Sequence, residues 1–284
     1  MGDSNSGHPP PAAPDAAHKA TASSPPSASR YLPTSGSILR LLTHTQNASA
    51  LSFGVFMTLH LAAPLAAAVG GLNAADGVMV LGREIYLPLE PVLVYAPLFV
   101  HLVSSATRRA VITYKTGKVN LSTHAMTGYI LAPLVVPHLL LHRLIPASPS
   151  PPISGLSPSE FGFEFVGYAA ASRVWMNIGY LALTGFGLYH AFVGGMKVLG
   201  WARRVLGRSK AQAPAAVKGD VSAAPRKIGK ARRIGLKGIV ATLVGVVGIG
   251  LLRLARDAKG MGSFTASRYE AVFAAAPWTA LGLR

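Results

Sequence analysis

Five apolar runs constrain this chain more than any other feature. They cover residues 49–70, 86–106, 122–145, 174–200 and 236–252. A helix needs about 20 residues to cross a hydrocarbon layer of about 30 Å. Hydrophobic residues make up 50% of the 284 residues and charged residues only 13%. Because a chain in lipid must satisfy its own backbone hydrogen bonds, the runs predict an all-α integral membrane protein with five transmembrane helices.

The net charge of +17 is distributed unevenly. Cations follow the second run and fill the connection 201–235, whereas the connections on the other side are poor in cations and contain Asp76 and Glu164. The positive-inside rule therefore predicts that the N-terminus and both basic connections are cytosolic. The basic connection lacks interleaved aromatic residues and is tethered to the membrane at both ends. We therefore expect it to contact lipid or an acidic protein, or only to set the topology, and not to bind nucleic acid.

The sequence predicts five parts along the chain. The N-terminal segment is rich in proline, alanine and serine, which is typical of disorder. The tail contains Phe264, Val272, Phe273 and Trp278, and this pattern favours an interfacial amphipathic segment. The parts are a disordered cytosolic segment (1–40), a four-span bundle (41–200) with two repeats (49–118 and 122–204), a basic cytosolic loop (201–235), a fifth span (236–253) and the tail (254–284).

One motif occurs twice within these spans. His101 is followed by small residues at +4 and +5 and by Arg108 at +7, and His190 is followed in the same way by Lys197. Positions 0, +4 and +7 lie on one face of a helix. The repetition predicts that the first four spans form a pseudo-twofold four-helix bundle in which His101 and His190 share a depth.

Three interpretations of these histidines stay open. His101 and His190 could ligate one haem b iron from opposite sides, with Ser105 and Gly194 leaving room for the porphyrin and with Arg108 and Lys197 near its propionates. The histidines could instead hydrogen-bond across packed helices, or line a polar track that faces lipid. We expect no other metal site. The chain has no cysteine and no buried carboxylate pair, so we predict that it is not an enzyme.

Two short elements resemble the transmembrane cytochrome b subunits of succinate dehydrogenase. Residues 122–128 open the third run with Ser-Thr-His-Ala-Met-Thr-Gly, and His190 is followed at +4 by Gly194. The resemblance implies that His190 matches the haem ligand of that family. Ala125, Met196 and Lys197 depart from its pattern.

The whole arrangement is similar to a fungal family of MDM-complementing proteins of the mitochondrial outer membrane. The resemblance covers roughly residues 40–255 and implies a role in lipid homeostasis at membrane contact sites. It also implies that a P-x-P motif, best matched by Pro9 and Pro11, recruits a chorein-type bridge lipid-transfer protein, and that membrane phospholipids are scrambled. The candidate residues of a lipid path are polar and lie within the runs: His60, Ser104, Ser105, His138, Asn177 and Thr184.

Overall fold

The computed structural model describes residue 2 and residues 35–119, 121–151, 153, 161–207 and 230–281. These residues form helices and turns, with no strand among them. The described residues divide into two units, one that ends at residue 38 and one that begins at residue 39. Of the first unit, the structure describes Gly2 and the residues that begin α1. The predicted disordered segment 1–40 therefore lies mostly outside the described residues, except that α1 (Ser35–Tyr86) already begins within it.

Helix α1 turns back on itself at Gly70 and Gly71. Gly71 has φ of 61°, which a side chain rarely tolerates. The rings of Phe56 and Tyr86 lie 5.1 Å apart, whereas 30 residues of unbroken helix would separate them by about 45 Å. The arm formed by residues 72–86 therefore runs antiparallel to the arm formed by residues 39–69. These residues 72–86, which the sequence placed in a loop, are helical.

The end of α6 (Lys230–Asp257) holds this turn. The side chain of Asp257 accepts a hydrogen bond of 3.1 Å from the backbone N–H of Leu72. Arg253 Nη1 donates to the carbonyl of Val69 over 2.6 Å. The first N–H groups of a helix lack partners within it, so Asp257 caps the second arm. Arg253 and Asp257 thus have a structural role at this turn.

A π-helical segment (Pro91–Tyr95) leads into α2 (Ala96–Thr116), which Gly117 ends in the left-handed conformation. Helix α2 returns along the first arm of α1. Arg108 Nε donates to Thr43 Oγ1 over 3.2 Å. About two turns earlier on α2, the ring of His101 reaches the carbonyl of Gln46. We call residues 39–116 the first hairpin.

The second hairpin consists of α3 (Thr123–Leu139), a π-helical segment (Leu140–Leu144) and α5 (Val174–Val205). The hydroxyl of Ser122 caps α3 by accepting a hydrogen bond from Ala125 N. Helices α3 and α5 run antiparallel with closely packed backbones. Near one end Gly128 faces His190, and near the other the Tyr180 hydroxyl is 3.0 Å from His142 Nε2.

Helix α4 (Phe163–Ser172) packs against α6, and α6 also packs against α5. Helix α7 (Ser263–Ala274), between 3-10 turns at Ala258–Gly260 and Pro277–Leu281, covers α4. Phe165, Tyr269, Val272 and Phe273 form a buried cluster there. The prediction of an interfacial tail is therefore wrong for Val272 and Phe273, whereas Phe264, 73% exposed, and the partly buried Trp278 remain available to a membrane surface.

Among the described residues, three helical stretches are long and apolar enough to cross a membrane: Gly36–Tyr86, Thr123–Leu144 and Gly235–Gly260. The first of these includes both arms of α1. The chain is therefore an all-helical membrane protein. The stretches around α2 and α5 are helical as predicted, but they do not reach the same hydropathy.

Candidate functional site

Three imidazoles from three helices meet between the hairpins. The ring centroids of His101 and His190 are 6.2 Å apart, and the ring planes are nearly perpendicular at 87°. His124 stacks on His190 with centroids 4.2 Å apart and an angle of 16°. The structure thus brings the two predicted histidines together and adds His124, to which the sequence analysis gave no role.

Backbone carbonyls orient two of these rings. His101 Nδ1 is 3.2 Å from the carbonyl oxygen of Gln46. His190 Nδ1 is 3.1 Å from the carbonyl oxygen of His124 and 3.4 Å from Thr127 Oγ1. In the tautomer in which each Nδ1 carries the proton, it donates to the carbonyl and leaves Nε2 as an acceptor.

Two glycines make space for the stacked rings. A Cβ on Gly128 would lie 3.0 Å from His190 Cε1, and one on Gly194 would lie 3.1 Å from His124 Cε1. Each helix therefore seats the imidazole of the other against a glycine. This reciprocal packing gives a physical reason for Gly128 in the element at residues 122–128 and for Gly194 four residues after His190.

The same packing bears on the haem interpretation. His101 and His190, whose ring centroids are 6.2 Å apart, could together hold one iron. The space beside Gly194, where we expected a porphyrin, is taken by His124. Among the described residues, the buried Ser105 Oγ has no hydrogen-bond partner. The two histidines fit an iron, but the space beside Gly194 does not fit a porphyrin.

A second polar cluster lies further along the hairpins. The rings of His60 and His138 are 5.8 Å apart, and those of His138 and His142 are 4.7 Å apart. Tyr180 approaches His142, whereas His138 Nδ1 is buried without a hydrogen-bond partner. Two of the candidate lipid-path residues, His60 and His138, thus lie together. Within the described residues, no group of three or more histidines and carboxylates could hold a metal ion.

The remaining lipid-path candidates have local roles. Ser104 is buried and its hydroxyl donates to the carbonyl of His101 over 3.2 Å. Asn177 donates to the carbonyl of Ala170 over 2.8 Å and so ties α5 to α4. Thr184 is half-buried on α5. These three side chains do not join His60 and His138 in one group.

Cations of both hairpins share the edge of the bundle nearest the basic connections. Arg108 lies there because its Nε donates to Thr43 Oγ1, and Lys197 lies there because it follows His190 by about two turns of α5. At the same edge Trp201 Nε1 donates to His44 Nδ1 over 2.8 Å. Each of the two cations could meet an anion, either a haem propionate or a lipid phosphate.

An ion pair between Glu90 and Arg143 joins the two hairpins. Arg143 Nε and Nη2 each donate to a carboxylate oxygen of Glu90 over 2.7 Å. Glu90, which we expected at the edge of the second span, is helical and directly follows the break at residues 87–89 between the second arm of α1 and the segment Pro91–Tyr95. No sequence motif indicates this pair.

Polar and aromatic side chains join the two hairpins. Within the second hairpin, α3 and α5 pack with close backbones. The contacts between the hairpins include His60 with His138, His101 with His190, Glu90 with Arg143 and His44 with Trp201. We call this boundary the polar interface.

Comparison with protein families gives one match. Residues 133–259 match the family model described as MDM10-complementing protein 1, transmembrane domain. The match extends from Pro133 in α3 to the end of α6 and includes His190 and Arg143. It supports the family membership that the motifs predicted. Neither the curated proteins nor the solved structures yield a match to the chain.

Proposed function

We propose, on the premise that residues 133–259 carry the transmembrane domain of the MDM10-complementing protein 1 family, that this chain is a mitochondrial outer-membrane protein of lipid homeostasis. In this proposal it crosses the membrane five times with a cytosolic N-terminus. It recruits a bridge lipid-transfer protein at membrane contact sites and equilibrates phospholipids between the two leaflets.

The polar interface is the observation that carries the scrambling part of the proposal. A headgroup crosses a bilayer only where polar groups replace water, because an unpaired charge in hydrocarbon is costly. The interface provides such groups at two levels, around His101 and around His60. Its side chains can change rotamer more readily than packed backbones can separate.

The cationic edge supplies an entry point. Arg108 and Lys197 lie where the N-terminal end of the first hairpin meets the basic connections, and both can bind a lipid phosphate. A phosphate held there is within one or two helical turns of His101 and His190 in sequence. The remainder of the interface then leads toward the opposite edge.

The scrambling part is tested with the purified full-length protein in vesicles that contain a fluorescent phosphatidylcholine. The proposal predicts exchange between leaflets faster than in protein-free vesicles. Replacing His60 and His138 together by leucine should slow the exchange, because both polar groups at that level are lost. Thr58→Val is the matched control, since that exposed hydroxyl bonds only to its own helix, at the carbonyl of Gly54, and should leave the rate unchanged. Equal rates for the leucine variant and the wild type would remove this level of the interface from the path.

The adaptor part concerns Pro9 and Pro11, which lie outside the described residues. Proline-rich segments are recognised as preformed extended ligands. Replacing Pro9 and Pro11 by alanine should abolish recruitment of the bridge lipid-transfer protein to mitochondria, while membrane insertion stays intact. Proline-to-alanine changes at Pro25 and Pro26 provide the control. Undiminished recruitment by the Pro9 and Pro11 variant would eliminate that motif.

Haem b binding is the second candidate function, and the 6.2 Å separation of His101 and His190 favours it. The two imidazoles would be its axial ligands, and haem would add one-electron chemistry. His124 opposes it by occupying the space beside Gly194. The test compares the absorption spectra of the oxidised and the dithionite-reduced protein. Haem binding would be established by a b-type band in the difference spectrum that is lost in His101→Ala and in His190→Ala but kept in His60→Ala. A flat difference spectrum from folded, haem-supplied protein would reject it.

A further inference from the structure

The ion pair of Glu90 and Arg143 lies at a special place in both hairpins. Arg143 belongs to the π-helical segment Leu140–Leu144, and Glu90 immediately precedes the segment Pro91–Tyr95. A π-helical turn redirects side chains and is often found at functional sites. Thr123–Leu144 contains 22 residues and is therefore about 33 Å long. Arg143 thus lies at the end of the span farthest from the basic connections.

Glu90 and Arg143 differ in their hydrogen bonds and in their exposure. The carboxylate of Glu90 accepts both bonds from Arg143 and a third, of 3.2 Å, from the hydroxyl of Tyr95. The side chain of Glu90 is only 14% exposed, whereas that of Arg143 is 41% exposed. A guanidinium carries five N–H donors. Glu90 accepts from Nε and Nη2, and Tyr95 also interacts with the guanidinium. Because the side chain is 41% exposed, Arg143 still presents N–H donors to its surroundings.

An exposed guanidinium at the edge of a membrane span faces lipid headgroups. Its planar fork matches the oxygen atoms of a phosphate as well as those of a carboxylate. If a phosphate replaced the carboxylate, Arg143 would exchange one anion for another and would not become unpaired. The same exchange would release a contact between the two hairpins, because Glu90 and Arg143 belong to different hairpins.

We propose that Arg143 is a binding site for the phosphate of a phospholipid headgroup and that Glu90 is the internal anion that competes for it. The site lies at the membrane edge opposite Arg108 and Lys197, so that the polar interface has a phosphate-binding cation at each end. The link to lipid movement rests on the proposed scrambling function, whereas the binding site itself does not. When a phosphate replaces the carboxylate of Glu90 at Arg143, the hydroxyl of Tyr95 still donates a hydrogen bond to Glu90.

Binding is tested first, with the detergent-purified full-length protein and without any transport. Phosphatidylcholine should raise the melting temperature of the wild type more than glucosylceramide, which has no phosphate. The difference between the two lipids should be lost in Arg143→Gln and should grow in Glu90→Gln, in which the competing charge is removed. Arg173→Gln is the matched control, since Arg173 makes a similar pair of 2.6 Å with Glu270 outside the interface. The control should retain the wild-type difference.

Transport is tested separately in vesicles. Glu90→Gln should raise the exchange rate of fluorescent phosphatidylcholine several-fold, and Arg143→Gln should lower it by roughly tenfold, as expected for the loss of a charge-assisted hydrogen bond. Exchange of fluorescent glucosylceramide should not follow this pattern. Glu270→Gln, which breaks the control pair, should leave both rates unchanged.

The outcomes separate the two ideas. If phosphatidylcholine stabilises the wild type and Arg143→Gln to the same extent, the binding site is refuted, whatever the transport rates are. If the phosphate-dependent stabilisation is present but wild-type vesicles exchange lipid no faster than protein-free vesicles, the scrambling function fails and the site stands. If Glu90→Gln accelerates phosphatidylcholine and glucosylceramide equally, the ion pair acts only as a structural clamp, and competition for phosphate is wrong.

Discussion

Gly194 and Gly195 offer a direct test of the stacked imidazoles, because they are neighbours on α5 with opposite surroundings. A Cβ at position 194 would lie 3.1 Å from His124 Cε1, whereas one at position 195 would have nothing within 4 Å. In a helix interior alanine is more favourable than glycine by about 0.8–1.0 kcal/mol. Gly195→Ala should therefore stabilise the protein by up to that amount.

The same gain applies to Gly194→Ala, but the added methyl group must displace the imidazole of His124. Overpacking of this kind costs about 1–3 kcal/mol, so the net effect of Gly194→Ala ranges from about zero to a loss of roughly 2 kcal/mol. The two variants should thus differ by about 1–3 kcal/mol. With about 2–4 °C per kcal/mol for a chain of this size, the difference is measurable as a shift in melting temperature.

The assay is thermal unfolding of the detergent-solubilised variants, followed by circular dichroism. If His124 is the obstacle, adding His124→Ala should abolish the penalty of Gly194→Ala, and the same change should have no such effect on Gly195→Ala. Gly128→Ala, whose Cβ would meet His190 Cε1 at 3.0 Å, should behave like Gly194→Ala. Equal melting temperatures for the Gly194 and Gly195 variants would refute the reciprocal packing.

Three further changes address the turn of α1, the start of α4 and the packing of α7. Gly71→Ala combines φ of 61° with a Cβ 2.6 Å from the carboxylate of Asp257, so a loss of at least about 1–3 kcal/mol is expected in thermal unfolding. Asp76→Ala removes the acceptor for the first N–H of α4, at 2.7 Å, and should cost about 1 kcal/mol by the same assay. The hydrogen bond from Arg173 holds the pKa of Glu270 below its ordinary value. The ion pair of Arg173 and Glu270 therefore stabilises the fold fully above about pH 4.3, and this stabilisation is lost as the pH falls through the lowered pKa. Tryptophan fluorescence between pH 7 and pH 3 should show a small transition that is absent in Glu270→Gln. The ion pair contributes less than about 1 kcal/mol to the free energy of unfolding because the pair is exposed.

The duplicated motif predicted part of the site from spacing alone. His101 and His190 each carry a cation seven residues later, and the helical repeat then fixes their depth relative to that cation. The structure places their rings 6.2 Å apart. Spacing could not show what fills the room beside a small residue. His124 occupies this space. Its position follows from the pairing of α3 with α5 and not from the sequence of either helix alone.

The turn at Gly70 and Gly71 shows a different limit. Residues 71–77 contain glycine, asparagine and aspartate, which favour a loop locally. Gly71 does turn the chain, but residues 72–77 are helical because Asp257, about 185 residues later, caps the second arm. The ion pair of Glu90 and Arg143 is likewise a contact between distant residues, and neither residue belongs to a recognisable motif. Helix length could be predicted from apolar runs, whereas these capping and pairing contacts required the tertiary structure.

Lipid movement along the polar interface is tested most directly by the exchange rate of fluorescent phosphatidylcholine in vesicles that contain the wild-type protein. We expect a rate well above that of protein-free vesicles and a clear decrease when His60 and His138 are both replaced by leucine. A rate for the folded wild-type protein that equals the rate of protein-free vesicles would contradict it, and the histidines would then serve only to pack the helices or to bind haem.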